Sequence, residues 1–222
     1  MAWPYSACHM LKLALPAGGL RVLCLGAHCD DIEIGAGGTL LRLLAAGQVS
    51  AVRWVVLAAT DERAREAEAC AAQFLAAAPV AEVSVHRYRD GLLPQAQEAI
   101  KADFENLKAF APDLILTHYR HDLHQDHRLV SDLTWNTFRN HLIWEYEIPK
   151  FDGDLGNPAF FVALSVAELA HKVKLLLAGF QSQAGKHWFD AETFRALPRL
   201  RGIQAGGDSP YAEAFYVRKL VL

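Results

Sequence analysis

The chain has no Cys-x-x-Cys pair, and its four cysteines, Cys8, Cys24, Cys29 and Cys70, stand at irregular spacings. That excludes a zinc ribbon and a disulfide framework, and it reads as reduced thiols in a cytoplasmic protein. No apolar run approaches the ~20 residues needed to span a bilayer. The segment from Met1 to Gly19 carries Lys12 as its only charge, and its apolar run, Met10–Leu15, is short. It lacks the basic start and longer apolar stretch of a signal peptide and is expected to be a flexible or loosely packed lead-in. Charge of either sign is scarce in excess: 22 basic and 25 acidic residues leave a net charge of −3. With no basic stripe or polybasic block, nucleic acid and anionic membrane surfaces are excluded as partners.

Internal repeats, low-complexity segments and linkers are missing too, so residues 1–222 are expected to form a single α/β domain. Its 222 residues, 52% hydrophobic and 21% charged, suffice for a substantial core. The apolar run Leu20–Ala27 reads as a buried strand, followed by a helix over roughly 35–46 that ends at Gly47. Strands over 52–58 and 83–88 alternate with a helix over about 61–78. A helix over 95–110 stops at Pro112-Asp113, and a short strand, 114–117, follows. Beyond Asp126 come a helix to about Asn140, strands over 142–148 and 160–164, and a helix over 168–180. Residues 181–210 look irregular, and 213–221 closes the chain as a strand. Strands and helices alternating at this length imply βαβ units and a Rossmann-like, mainly parallel sheet flanked by helices. Trp54 belongs to the core on this pattern. The sequence does not divide Trp135, Trp144 and Trp188 among core, sugar-stacking and interface roles. Exposed tryptophans and an irregular C-terminal third are compatible with a homo-oligomer.

Two loops concentrate the chemistry. Gly26-Ala27-His28-Cys29-Asp30-Asp31-Ile32-Glu33-Ile34-Gly35 packs one imidazole and three carboxylates after the first strand. Such loops, at the carboxyl ends of parallel strands, are where open α/β sheets bind ligands. Acids crowded beside a buried strand repel one another and lose hydration. A cation relieves both costs, and Zn²⁺ accepts His nitrogen and Asp oxygen at about 2.0–2.2 Å. The second loop, from His118 to His127, holds four of the ten histidines in ten residues. It also follows a strand, so the two loops can converge on one ion. A catalytic zinc commonly keeps three protein ligands and one open position for water. His28, Asp31 and His127 supply two nitrogens and one oxygen. Asp30, beside a ligand but free itself, is placed to deprotonate the attacking water. His124 is a candidate donor to the oxyanion, and Asp126 a candidate to hold His124 in the needed tautomer or raise its pKa. Gly35, Gly37 and Gly38 do not match Gly-x-Gly-x-x-Gly, and the neighbouring acids would repel a pyrophosphate. Arg65, near the sheet edge at the start of the second helix, His118 and Arg201 are candidate substrate contacts.

His28-Cys29-Asp30-Asp31-Ile32-Glu33-Ile34-Gly35-Ala36-Gly37-Gly38-Thr39 closely resembles the Ala-His-Pro-Asp-Asp-x-Glu-x-Gly-x-Gly-Gly-Thr signature of the PIG-L/LmbE-like zinc deacetylases. His124-Gln125-Asp126-His127 resembles that family's His-Pro-Asp-His motif. Weaker likenesses lie at 145–149, Lys172, Ser182-Gln183, Arg201-Gly202 and 211–215, so the resemblance runs from about Leu20 to the C-terminus. It implies removal of an acetyl group from an N-acetylated amino sugar or its conjugate. His28, Asp31 and His127 would be the metal ligands, Asp30 the general base, His124 the oxyanion donor and Asp126 its tuner. The cofactor implied is Zn²⁺, with Fe²⁺ or another divalent ion as an alternative. Cys29 and Gln125 depart from the family's prolines, and Cys29 is a conceivable fourth ligand. Three other readings stand open at this point: an amidase acting on a larger amide, a non-catalytic metal-containing carbohydrate or nucleotide module, and a nucleotide-dependent oxidoreductase.

Overall fold

A computed structural model describes Leu15 and residues 18–220. The lead-in expected over 1–19 therefore lies almost entirely outside the described residues, as do Cys8 and Val221, the expected end of the last strand; the strand itself ends at Arg218. In chain order the elements are β1 (Leu20–Gly26), α1 (Asp31–Ala45), β2 (Val49–Ala58), α2 (Asp61–Phe74) and β3 (Ala81–Tyr88). Then follow α3 (Gln97–Leu107), β4 (Leu114–His118), α4 (Gln125–Thr137), β5 (Leu142–Tyr146) and β6 (Phe160–Leu164). The last are α5 (Val166–Gly179), α6 (Ala191–Ala205) and β7 (Tyr211–Arg218).

One seven-stranded sheet runs in the order β3-β2-β1-β4-β5-β7-β6. Strands β1 to β5 are parallel, and β7 is antiparallel to both its neighbours. The near-continuous apolar run of β1 is explained by burial on both faces. Val22 and Cys24 enter a core shared with α1, α2 and α5, which also holds Trp54 and Trp144. Leu23 and Leu25 enter a second core with Ile100 and Phe104 of α3 and Val130 and Leu133 of α4. The chain winds outward from β1 to β3, then returns to place β4 on the other side of β1. The crevice where winding reverses lies between the loops after β1 and β4, the position at which this architecture binds ligands.

Helix α1 starts at Asp31, four residues before the expected start at Gly35. Asp31 and Glu33 thus ride its first turn, where the helix dipole favours a carboxylate; at Glu33 burial outweighs that and raises the carboxyl well above 4.5. Its glycines allow close packing: a Cβ on Gly35 would lie 2.2 Å from the Tyr146 ring. Against this face sits a buried ion pair. Lys172 Nζ donates to Glu213 Oε1 at 2.5 Å and to the Ile34 carbonyl at 2.6 Å. Glu213 in turn accepts the N–H groups of Gly38 and Thr39. The pair pins α1, and with it the β1–α1 loop, to α5 and β7.

The region 181–210 is not irregular throughout. Residues 191–205 form α6, N-capped by Asp190, which accepts from the Thr193 N–H at 2.7 Å, and ended by Gly206 at φ 66°. Pro198 and Gly202 inside it read as breakers. Burial of Phe194, Pro198, Arg201 and Gly202 compensates, and Gly202 permits an approach to Pro210 that a Cβ would block. Among the described residues no helix is long and apolar enough to cross a membrane.

Candidate functional site

Three loops build the site. After β1, the His28 N–H donates to Asp31 Oδ2 at 2.6 Å, which folds the loop back on the first turn of α1. After β4, His124 N-caps α4, its Nδ1 accepting from the Asp126 N–H at 3.2 Å. The third loop follows β3. It is fastened to the start of α4 by the Asp126 carboxylate, which accepts from Gly91 N at 2.7 Å and Leu93 N at 3.1 Å, and by Gln125, which donates to the Gly91 carbonyl.

His28, Asp31 and His127, far apart in the chain, meet. His28 Nδ1 lies 3.1 Å from His127 Nε2 and 3.3 Å from Asp31 Oδ2, and His127 Nε2 lies 3.6 Å from Asp31 Oδ1. Ligands held tetrahedrally at about 2.0–2.1 Å are about 3.3–3.4 Å apart; the separations here are of that order, with Asp31 meeting His28 through Oδ2 and His127 through Oδ1. The far sides of the two rings decide what the near sides offer. His127 Nδ1 is 2.9 Å from Asp122 Oδ2. His28 Nε2 is 3.2 Å from both Asp126 Oδ2 and Asp90 Oδ1. A ring hydrogen on each of those nitrogens satisfies the carboxylates and leaves His28 Nδ1 and His127 Nε2 as lone pairs facing one another. Two lone pairs 3.1 Å apart beside a buried carboxylate repel. A divalent cation between them would relieve that repulsion, and each histidine is backed by a carboxylate in the manner common to metal sites. The residues present therefore fit such an ion. Among the described residues three groups lie closely enough together for a metal: His28, His124 and His127; Asp31, His118 and His127; and His28, Asp90 and Asp126. His124 Nδ1 is taken by a backbone N–H, however, so its ring hydrogen sits on Nε2, a donor rather than a ligand.

Electrostatics agree. Burial opposes charge on His28, but Asp31, Asp126 and Asp90 outweigh it and raise the ring well above 6.5. Burial likewise opposes charge on Asp31, and His127, His118 and His28 outweigh it and hold the carboxyl well below 3.8. Burial, then His127 and His28, lower His124. Without a metal the cluster holds protons where a cation would sit.

Each remaining candidate has a definite place. Asp30 is buried on the cleft wall and makes no capping bond to α1; its Oδ1 is 3.1 Å from Arg63 Nη2. The Asp126 carboxylate makes no hydrogen bond to the His124 ring and reaches His28 instead, so the expected contact is replaced by one to a different histidine. Arg65 is exposed and bonds the Asp61 carbonyl of its own helix; Arg63 is the α2 residue that lines the cleft. Arg201 lies outside that lining, buried against Glu147 with Nη2–Oε1 at 2.7 Å. His118 is fully buried and does not line the cleft either. Burial, then the nearby His127, lowers it to about 4, and its Nε2 lies between the Ala27 N–H at 3.0 Å and Asp31 Oδ2 at 3.2 Å. Cys29 points away, its thiol 3.5 Å from the Ala58 carbonyl, and burial pushes it up to about 11. Asp90, Asp122, Arg63 and Lys150 were not singled out by the sequence. Asp90 had a signal, a Gly-flanked turn after a parallel strand. Asp122 lay inside the histidine-rich segment. Lys150 donates to Asp122 at 2.9 Å and joins the loop after β5 to the cluster. The cleft encloses about 680 Å³.

This fold is shared with solved proteins. N,N'-diacetylchitobiose deacetylase from Pyrococcus horikoshii, solved with an inhibitor, is similar at TM-score 0.69 and 21% identity over 89% of this chain and 83% of that one. A conserved protein from Thermus thermophilus gives 0.71 and 22%, over 91% and 96%. GalB, the 4-carboxy-2-hydroxymuconate hydratase of Pseudomonas putida, gives 0.72 and 18%, over 91% and 97%. Deacetylase and hydratase names thus occur on one scaffold, and the likeness fixes the fold rather than the reaction. The sequence match is more specific: the family model described as "PIG-L: GlcNAc-PI de-N-acetylase" matches residues 23–138, the span that holds both loops. The chain belongs to the PIG-L family and is a hydrolase of its deacetylase type.

Proposed function

We propose that this protein removes the N-acetyl group from an amino-sugar derivative, using a divalent ion, zinc in the first instance, held by His28, Asp31 and His127. The observation that carries the reading is the pair of ring nitrogens, His28 Nδ1 and His127 Nε2, turned toward one carboxylate while Asp126, Asp90 and Asp122 hold their opposite edges. Such an ion supplies Lewis acidity and lowers the pKa of water toward neutrality. Asp30 accepts the proton of the attacking water. Arg63, 3.1 Å away, aims that carboxylate. His124, with Nδ1 occupied by the Asp126 N–H, directs its Nε2–H at the oxygen that becomes negative as the acetamide carbon turns tetrahedral. One such donor is commonly worth about 3–4 kcal/mol. Collapse breaks the C–N bond, and the amine leaves with a proton returned from Asp30 or His124, releasing acetate.

A screen of N-acetylated sugars with zinc present, scored for free amine, tests the reaction. Asp30→Ala should keep its metal and lose most turnover, since general base catalysis contributes about 10²–10⁴-fold. Full activity in that variant overturns the base assignment. Release of acids larger than acetate would favour an amidase. Absence of amine from every compound would favour a metal-holding binding module.

A further inference from the structure

The cleft changes character away from the metal cluster. Its outer wall is built by Ile148, Pro149 and Phe151 from the loop after β5, and by His187 and Trp188 from the connection between α5 and α6. Phe151 is 80% exposed, a large apolar ring left facing water. It lies 5.5 Å from the His187 ring, tilted by 49°. Trp188 is braced edge-on by Phe189 and Phe194, which fixes the direction of its indole. The Phe151 loop is anchored to the cluster, because Lys150 bonds Asp122, the carboxylate that backs His127.

The charges along the same cleft are already spoken for. Arg63 is paired with Asp30, and Lys150 with Asp122 and Asp154. Asp90 and Asp152 add negative charge to the lining. Among the described lining residues Lys186 is the cation without a carboxylate partner, and its Nζ lies 5.6 Å from the Trp188 ring. A diphosphate would meet more carboxylates than uncommitted cations. Ile148, Pro149 and Phe151 offer a second sugar no side-chain hydrogen-bonding group, which leaves it only Asp152, Gln183, Lys186, His187 and Thr193 elsewhere on the lining. A flat apolar ring matches the wall, since aromatic pairs gain both buried area and ring–ring contact.

Resting on the deacetylase reading above, we propose that the amino sugar carries an uncharged aromatic aglycone, seated on Phe151 and Trp188. The test compares phenyl and methyl N-acetyl-β-D-glucosaminide, N,N'-diacetylchitobiose and UDP-N-acetylglucosamine as substrates of the zinc-loaded enzyme and of Phe151→Ala. In parallel, calorimetry measures binding of the deacetylated phenyl and methyl glucosaminides, which needs no turnover. The expected result is a phenyl advantage over methyl on the order of tenfold in kcat/KM and in binding. Phe151→Ala should abolish the advantage, its loss on the phenyl glycoside exceeding that on the methyl glycoside by about the same tenfold; the side chain is exposed, so the variant keeps its fold. Equal phenyl and methyl values overturn the proposal, as does a better result with the disaccharide or the sugar nucleotide, or an equal loss on both glycosides in the variant. Should no compound release amine, the deacetylase reading fails by itself. Calorimetry then still decides the aromatic subsite: a phenyl preference lost in Phe151→Ala supports it, and no preference overturns it.

Discussion

Asp126→Asn distinguishes two roles for one carboxylate. Asp126 is fully buried, and its two oxygens serve three partners. Oδ2 accepts from Gly91 N at 2.7 Å and lies 3.2 Å from His28 Nε2, while Oδ1 accepts from Leu93 N at 3.1 Å. An amide has one acceptor oxygen. With that oxygen at the Oδ2 place, the amide hydrogens meet the Leu93 N–H; flipped, they meet the Gly91 N–H and the His28 ring hydrogen. One donor is left unsatisfied in the first orientation and two in the second, so at least about 1–3 kcal/mol of stability is lost. The second effect is on the metal. Loss of a backing carboxylate typically costs about 10–100-fold in affinity. Asp90 also reaches His28 Nε2 at 3.2 Å, but its side chain is 80% exposed and contributes less. The single variant should therefore fall near the tenfold end, and Asp90→Asn with Asp126→Asn near a hundredfold. Competition with a fluorescent zinc chelator measures this, with thermal melts confirming folded protein. His124→Ala should keep wild-type affinity. If Asp126 acted through the His124 ring, Asp126→Asn would bind zinc like wild type and shift only the pH–rate profile. That outcome would refute the reasoning.

Further outcomes follow from the same geometry. Lys172→Met strands the buried Glu213 carboxylate and should cost about 3–5 kcal/mol in urea unfolding. Adding Glu213→Leu should recover much of that, because Ile34 C=O and Gly38 N–H stand four residues apart and can pair within α1; losses equal to the sum of the single variants would contradict this. Gly35→Ala places a methyl 2.2 Å from the Tyr146 ring, which is buried and tied to the Leu25 carbonyl at 2.7 Å. A drop of about 4–8 °C in Tm is expected, and an unchanged melt would show that the ring can yield. The metal-free protein should show two opposed pH limbs. His28, raised above 6.5 in the fold, contributes stability that is complete below pH 6.5 and lost as pH rises through the raised value. His118, lowered to about 4, contributes stability that is complete above pH 6.5 and lost as pH falls toward 4. Zinc, which needs His28 unprotonated, should flatten the alkaline limb. Melts of stripped and loaded protein from about pH 5 to about pH 9 check both, and a stripped form whose Tm does not fall above pH 6.5 would count against the first.

Much of the fold was legible because periodicity reports burial directly. The apolar run of β1 reads as a strand because both its faces are covered, and the alternation of strand and helix patterns gave the parallel sheet. The acidic and histidine-rich loops announced themselves by composition, and their position after strands put them at one sheet edge. α6 was hidden, because Pro198 and Gly202 oppose a helix locally, and only packing around Phe194 and Arg201 outweighs them.

What the chain's own order determined was the inventory: which loops carry nitrogen and oxygen donors, and that β1 and β4 deliver them to the same edge. Which donor faces which partner was settled by tertiary packing. Arg63 and Arg65 are two residues apart on α2, and at about 100° per residue they point to nearly opposite sides; composition cannot choose between them. Asp126 follows His124 closely in the chain, yet the loop after β3 docks on its carboxylate and turns it toward His28. Hydrogen bonds and ring orientations at the cluster depend on groups far apart in sequence, and their geometry exists only once the three loops have closed on one another.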